Sequence, residues 1–375
     1  MIEYVEIRNT DTVLIGIIDT AQSIIWHSGF FGVGDFEIYT KATPEAIAML
    51  KKGHYVTRPD DIETGIIERF NVVNDEQNGR MIIVAGRFVK SILDRRLIYK
   101  LSGNTNTATV LRGNVEENIR KIVLNNAIAC PFDSKRNFAR LELGALGGFP
   151  AVIVDENGNA AQKQVSYGNL LEYTDGVLKE YGLASMCFLD IEARKFKYVV
   201  YGGVDRSIDN ASGNIPVVFS QEFDNLTGSE YALDTTPEKN VALIGGEGEG
   251  LTRFYSLVAG NETDLQRREV FVDASSINKT FKDENEEEKT YTDTEYTGLL
   301  KSQGTQTLAT LNELETFAGT IDILNGNYVY NRDFSLGDIV TVQDNVLQMY
   351  VNVRITEITE VQDENGYTIE AVYQS

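Results

Sequence analysis

Histidine, cysteine and tryptophan are nearly missing from this sequence: two, two and one among 375 residues. Two histidines, His27 and His54, cannot build an HExxH helix or a three-histidine metal site. Cys130 and Cys187 lie in different parts of the chain and neither belongs to a CxxC, so no disulfide scaffold or zinc site is indicated. They fit a reducing compartment, where a buried free Cys acts as a small hydrophobe. There is no GxSxG and no Walker loop. The nearest phosphate-loop lookalike, Gly245-Gly-Glu-Gly-Glu-Gly250, runs into strand-like sequence from Thr252 to Val258, whereas a phosphate cradle needs a helix there. Glu247 and Glu249 would repel phosphate, so the segment reads as a hairpin turn. No apolar run approaches the roughly 18 residues of a membrane span. Met1 to Ile7 alternates like a strand and lacks a basic n-region, so neither a signal peptide nor a membrane anchor is expected. Basic residues are also short: 34 Lys and Arg face 56 Asp and Glu, a net charge of −22. That balance disfavours gripping nucleic acid by its phosphates and favours a soluble, self-repelling surface. No catalytic residue, cofactor or metal site is expected. Paired carboxylates for glycoside cleavage stay open, because so many acids place some pair at a suitable separation by chance.

What the chain does have is aromatic and glycine content: 18 Tyr, 17 Phe and 32 Gly against 6 Pro. This is the profile of a β-rich protein, and the length allows two or three domains. The stretch Ser23 to Tyr39 holds Trp26, His27 and the glycines Gly29, Gly32 and Gly34. It reads as a strand to His27, a turn over Gly29 to Gly34, and a strand from Asp35 to Thr40. In that second strand Phe36 and Ile38 face a core while Asp35, Glu37 and Tyr39 face outward. Such a hairpin needs a larger sheet to pack on.

Taken in order, residues 1–105 read as almost continuous β with two short helices. One spans 43–50, with Thr43 as N-cap and Pro44 in its first turn. The other covers 88–98 and carries Arg95 and Arg96. Asn78-Gly79 marks a hairpin. Residues 106–264 read as a mixed α+β middle region. Helices are expected at 114–128, capped by Asn114 and apolar along Val115, Ile119, Ile122 and Val123, and at 170–181. Strands are expected at 184–190, 196–201, 216–220, 240–245 and 251–258. Residues 265–375 read as a second β module: a strand at 268–273, a solvated acidic loop at 283–288, and a helix over 306–317. A turn at Asn325-Gly326 and strands at 331–342, 349–361 and 367–373, the last two joined at Asn365-Gly366, complete it. The fold class is α+β, predominantly β, with two β-barrel-like modules at the chain ends flanking the middle region.

Three stretches carry a family likeness. Ile25 to Ile38, with its Trp26 and Gly34-Asp35-Phe36-Glu37, is one; Gly86 to Ile98, with its Arg95-Arg96 pair, is another. The third is Tyr330 to Val342, with Leu336-Gly337-Asp338-Ile339-Val340. In this order they resemble the tail-associated baseplate hub proteins of long-tailed phages, relatives of the hubs of contractile tails. The resemblance implies a structural protein without enzymatic activity. Three chains would present six similar modules as a pseudo-sixfold ring at the tip of the virion tail, after assembly in the bacterial cytoplasm. A closed ring leaves no unpaired outer edge. Partners would be two further copies, the distal tail protein, the tail tube and the tape-measure protein, with DNA passing through the lumen without specific binding. Many relatives continue into a fibre or a cell-wall hydrolase; with the sequence ending at Ser375, such a part is expected on another polypeptide.

Under that resemblance Gly34 and Gly337 are expected to permit tight turns, and Asp35 and Asp338 to bond those turns through the backbone. Arg95, Arg96 and Arg332 are candidates for ion pairs between modules or chains, or else exposed charges of little consequence. The acidic balance has a proposed use: DNA carries about one charge per 1.7 Å, and an acidic bore would let it slide. Screening confines that effect to about 8 Å. The competing reading is a module that binds carbohydrate or a receptor on the host envelope, which a surface aromatic platform would favour.

Overall fold

Trp26 sits where the two ends of the chain meet. The strand Ser23–Gly29 pairs on one side with Asp35–Lys41, placing Trp26 opposite Phe36. On its other side it pairs with the long strand Met349–Asp363, placing Trp26 opposite Glu360. The computed structural model describes residues 1–102, 105–154, 158, 160–282, 287–312, 314–322, 328–346 and 348–374. It is 43% strand and 20% helix, as the α+β, predominantly β expectation requires. The chain divides into two compact units, each built from non-consecutive stretches.

The first unit contains Met1–Ser91, Ala184–Leu233 and Glu315–Ser375. Its main sheet has ten strands. The path runs from Leu226–Asp234 through Leu314–Ile321, Gly366–Gln374 and Met349–Asp363 to Ser23–Gly29. It continues through Asp35–Lys41 and Gly79–Arg87 to Arg69–Asp75. Ile339–Asp344 branches from Met349–Asp363 and pairs in parallel with Val218–Ser220. A four-stranded sheet of Leu14–Ile18, Val5–Arg8, Tyr55–Thr57 and Thr64–Ile66 completes the N-terminal part. Two apolar cores result. One gathers Val5, Ile7, Trp26, Phe36, Ile38, Val84 and Phe88. The other gathers Phe219, Phe334, Val340, Ile355, Ile369 and Tyr373, and Tyr367 packs against both.

The local reasons are those the residues suggest. Asp35–Lys41 alternates as read, with Phe36, Ile38 and Thr40 buried. Helix α1 (Pro44–Met49) is capped by the Thr43 hydroxyl, which accepts the Ala46 N–H at 3.1 Å. Gly34 serves a different purpose from the one expected. Its φ is not positive; a Cβ there would stand 2.1 Å from the His27 carbonyl oxygen and 2.6 Å from the Phe88 ring. Close approach of the backbone, rather than turn dihedrals, requires glycine. Gly337 meets both demands, with φ +91° and a Cβ position 2.3 Å from the Phe30 ring. The helix expected over 88–98 forms only as a 3₁₀ segment, Val89–Arg95.

The second unit contains Ile92–Leu183 and Asp234–Leu314. Helix α2 (Val115–Val123) begins at Asn114, whose side chain accepts the Glu117 N–H, and its apolar stripe is fully buried. A π turn, Leu124–Ile128, ends it. Buried Glu116 accepts the N–H groups of Gly147, Gly148 and Phe149 at 2.7, 2.9 and 3.3 Å, fixing the glycine-rich loop. Helix α3 (Leu170–Glu180) is capped by Asn169. Helix α4 (Asp293–Thr310) opens with a capping box of Thr292 and Glu295. The helix read over 306–317 is therefore displaced. It ends at Thr310, and Leu314–Ile321 is a strand paired with Gly366–Gln374. Sheet pairing outweighs the helical spacing of that segment. Helix α4 packs on a three-stranded sheet, Tyr255–Ala259, Val241–Gly245 and Glu269–Asp273. The segment Gly245–Gly250 turns between the first two strands in chain order, as a hairpin connection. Asp283 to Glu286, Glu313 and the Asn325-Gly326 turn lie outside the described residues.

Candidate functional site

Within the first unit, the two cores are bridged by a buried charge pair. Arg58 follows the strand Tyr55–Thr57, and Glu360 lies on Met349–Asp363. The guanidinium donates to both Glu360 oxygens at 2.9 and 3.0 Å, a fork that fixes orientation as well as distance. Their side chains are 1% and 4% exposed. Arg58 also donates to both oxygens of Asp60, at 3.0 and 2.8 Å. It lies 5.3 Å from the centroid of Trp26. Tyr367 donates its hydroxyl to Glu360 at 2.6 Å. Burial alone would lower the Arg58 pKa, but the hydrogen bonds to Asp60 and Glu360 outweigh it and raise it, so the group stays charged. Burial, with the Glu360 charge beside it, pushes the Tyr367 phenol up.

A cavity of about 380 Å³ opens beside this bridge, and another of about 260 Å³ shares Tyr330 and Asn331 with it in its lining. The first takes in Arg58, Asp60, Glu360 and Tyr367. The second takes in Asp61, Glu63, Arg206 and Asp338. Burial raises the Asp61 carboxyl to about 6, despite the nearby Arg58. Burial and the Asp61 charge raise Glu63 to about 8, against the pull of Lys90. Tyr330 is raised well above its ordinary value by burial, then by Asp61 and Glu360. The arrangement can hold protons on carboxyls near neutral pH. Among the described residues no group of His, Cys, Asp and Glu is placed to hold a metal ion.

The residues singled out from sequence are dispersed. Trp26 lies under the bridge. Asp338 bonds its turn, accepting the Ser335 N–H at 2.9 Å, and also accepts from Val204 N–H at 2.7 Å and Arg206 at 2.9 Å. Asp35 is exposed, with its carboxylate 3.7 Å from His27 Nδ1. Arg332 is exposed and forks onto the adjacent Asp333 at 3.1 and 2.7 Å. In the second unit Arg96 donates to the Arg136 and Arg95 carbonyls and stacks 3.9 Å from the Phe138 centroid, while Arg95 is exposed. Arg58, Asp61, Glu63, Tyr330, Glu360 and Tyr367 escape a reading of the sequence. The available signal is Arg58-Pro59-Asp60-Asp61, a turn with a cation beside two acids. Glu360 gives none, because a bulge between Ile355 and Glu357 resets which residues of its strand face inward.

The sequence matches, over residues 4–373, the family model described as Siphovirus ReqiPepy6 Gp37-like protein. None of the curated proteins is a significant match. A tail protein from Neisseria meningitidis MC58 matches with a TM-score of 0.56 and 16% identity, covering 99% of this chain and 96% of that one. The 43 kDa tail protein of prophage MuSo2 from Shewanella oneidensis matches with a TM-score of 0.57 and 15% identity, covering 99% and 98%. At these identities the likeness is one of fold. No helix among the described residues is long and apolar enough to cross a membrane.

Proposed function

This chain belongs to the siphovirus ReqiPepy6 Gp37-like family of phage tail proteins, and from that premise we propose that it is the baseplate hub at the tail tip. Three copies close into a ring whose six modules are the paired β cores of each first unit, and the ring seats on the tail tube. The observation that carries this reading is the presence, in one chain, of two apolar cores joined by a single continuous sheet and pinned by Arg58–Glu360. That is the minimum a threefold assembly needs to offer six similar docking elements to a sixfold tube. Its neighbours would be the distal tail protein, the tube and the tape-measure protein, and its role is structural rather than catalytic.

The charge distribution supports a conduit. The first unit has 15 basic and 30 acidic residues, a net of −15, against 19 and 26, a net of −7, in the second. An acidic ring lining would repel DNA at short range and keep it moving during ejection. Light scattering after size exclusion, over a range of concentrations, tests the assembly: the expected mass is about three times 41.8 kDa. A mass of 41.8 kDa that persists when the neighbouring tail proteins are added would remove the reading.

A further inference from the structure

The cavity of about 380 Å³ beside Arg58 is built largely from the second apolar core of the first unit. Its floor is apolar, with Ile321, Phe334 and Ile369 buried. Its walls are aromatic: Tyr328, Tyr330 and Tyr367 line it, and the Tyr330 ring lies 5.6 Å from that of Phe334 between centroids. This size, with an apolar lining interrupted by a few polar groups, is that of a small-molecule site.

The polar groups narrow the choice of ligand. Arg58 forks onto both Glu360 and Asp60, so each charge at this cavity already has an opposite partner. An entering anion would meet two carboxylates, and an entering cation would meet a guanidinium. What stands unmatched is neutral. Among the described residues, the Tyr330 hydroxyl and the Asn331 side-chain amide have no hydrogen-bond partner. Burial, then the charges of Asp61 and Glu360, keep the Tyr330 phenol protonated, so it is a donor. The Tyr328 hydroxyl accepts the Val218 N–H at 3.3 Å, which leaves its own proton to give. Asn331 offers an amide oxygen and an NH2 group. Its backbone is fixed at φ +62°, with its N–H donated to the Phe334 carbonyl at 2.8 Å. The amide is therefore placed at the cavity wall by the turn and not by bonds of its own. A ligand that suits this wall is uncharged, both donates and accepts, and has a C–H face to lie on a ring. A sugar combines these properties: its C–H groups meet the negative face of an aromatic ring while its hydroxyls reach phenol and amide.

We propose that this cavity is a binding site for a neutral saccharide, with Tyr328, Tyr330 and Tyr367 as ring surfaces and the Asn331 amide and Tyr330 hydroxyl as its hydrogen-bonding groups. The site is additional to the structural role proposed above and does not depend on self-assembly. The full chain is tested on a microarray of neutral and anionic glycans, then by titration calorimetry with the free sugar retained there. The variants are Asn331→Gly, Tyr330→Phe and, as a control, Tyr255→Ala, which removes an exposed ring of the second unit. Glycine takes the positive φ of residue 331 without strain, and Phe keeps the ring of residue 330, so both cavity variants should melt close to wild type. Wild type and control are expected to bind a neutral glycan, and each cavity variant to bind it about tenfold more weakly or worse. An array that retains no glycan, or anionic glycans only, overturns the proposal. So does neutral-glycan binding that both cavity variants keep at full strength, or that Tyr255→Ala abolishes.

Discussion

Replacing Glu360 by Gln keeps the volume of the side chain and removes its charge. Arg58 then remains 1% exposed at its side chain, with Asp60, itself 49% exposed, as the carboxylate still hydrogen-bonded to it. Of the four hydrogen bonds that Arg58 makes to carboxylates, two go to Glu360. Breaking one side of a buried pair costs about 3–5 kcal/mol, because a charge is left without compensation. The contact with Asp60 persists, so the lower end, about 3 kcal/mol, is expected. For a body of this size that corresponds to a fall of about 6–12 °C in the melting temperature. The single tryptophan makes the assay specific: Trp26 is fully buried in the first unit beside the Arg58 guanidinium, so its fluorescence reports the unfolding of that unit alone. The double variant Arg58→Met with Glu360→Leu removes both charges and should recover most of the loss. A loss below about 1 kcal/mol for Glu360→Gln, or a double variant less stable than the single one, would refute the assignment of the bridge as the clasp between the two cores.

Stability of the first unit should also depend on pH through the cavity carboxyls. Glu63 is raised from 4.5 to about 8, so its folded form holds the proton more tightly than the unfolded chain does. Its contribution is complete below pH 4.5 and is lost as pH rises through about 8. Asp61 acts in the same sense between 3.8 and about 6. Urea titrations from pH 5 to 9 should show a decline that Glu63→Gln flattens; an unchanged slope counts against the proton-holding site. Gly34→Ala forces a methyl against the His27 carbonyl and the Phe88 ring. It should cost about 1–3 kcal/mol, read from the Trp26 denaturation midpoint, and a neutral result would contradict the close-approach explanation. Glu116→Ala leaves three backbone N–H donors without their acceptor. A loss of about 1–3 kcal/mol in the second unit should appear with new proteolytic cleavage near Gly144 to Phe149, and resistance equal to wild type would dismiss the clamp.

Local structure was legible wherever short-range chemistry decides it. The Thr43 and Asn114 caps, the Asp35–Lys41 alternation and the Gly366 turn follow from residues within a few positions of one another. Three separated stretches were also enough to suggest a tail-hub relative. The segment 314–317 misled because its helical spacing is local, while the strand it joins, Gly366–Gln374, lies some fifty residues away. The clasp was illegible for a related reason. Arg58 and Glu360 are 302 positions apart, and the bulge after Ile355 decides that Glu360 faces inward at all. The sequence by itself determined the β-rich character, the starts of helices α1, α2 and α3, the acidic balance and the family. Only the tertiary structure decided which strands share a sheet, which carboxyls are driven to hold protons, and which side chains line the cavity beside Arg58. Periodicity records whether a side chain alternates, but burial and pairing depend on what the rest of the chain brings against it.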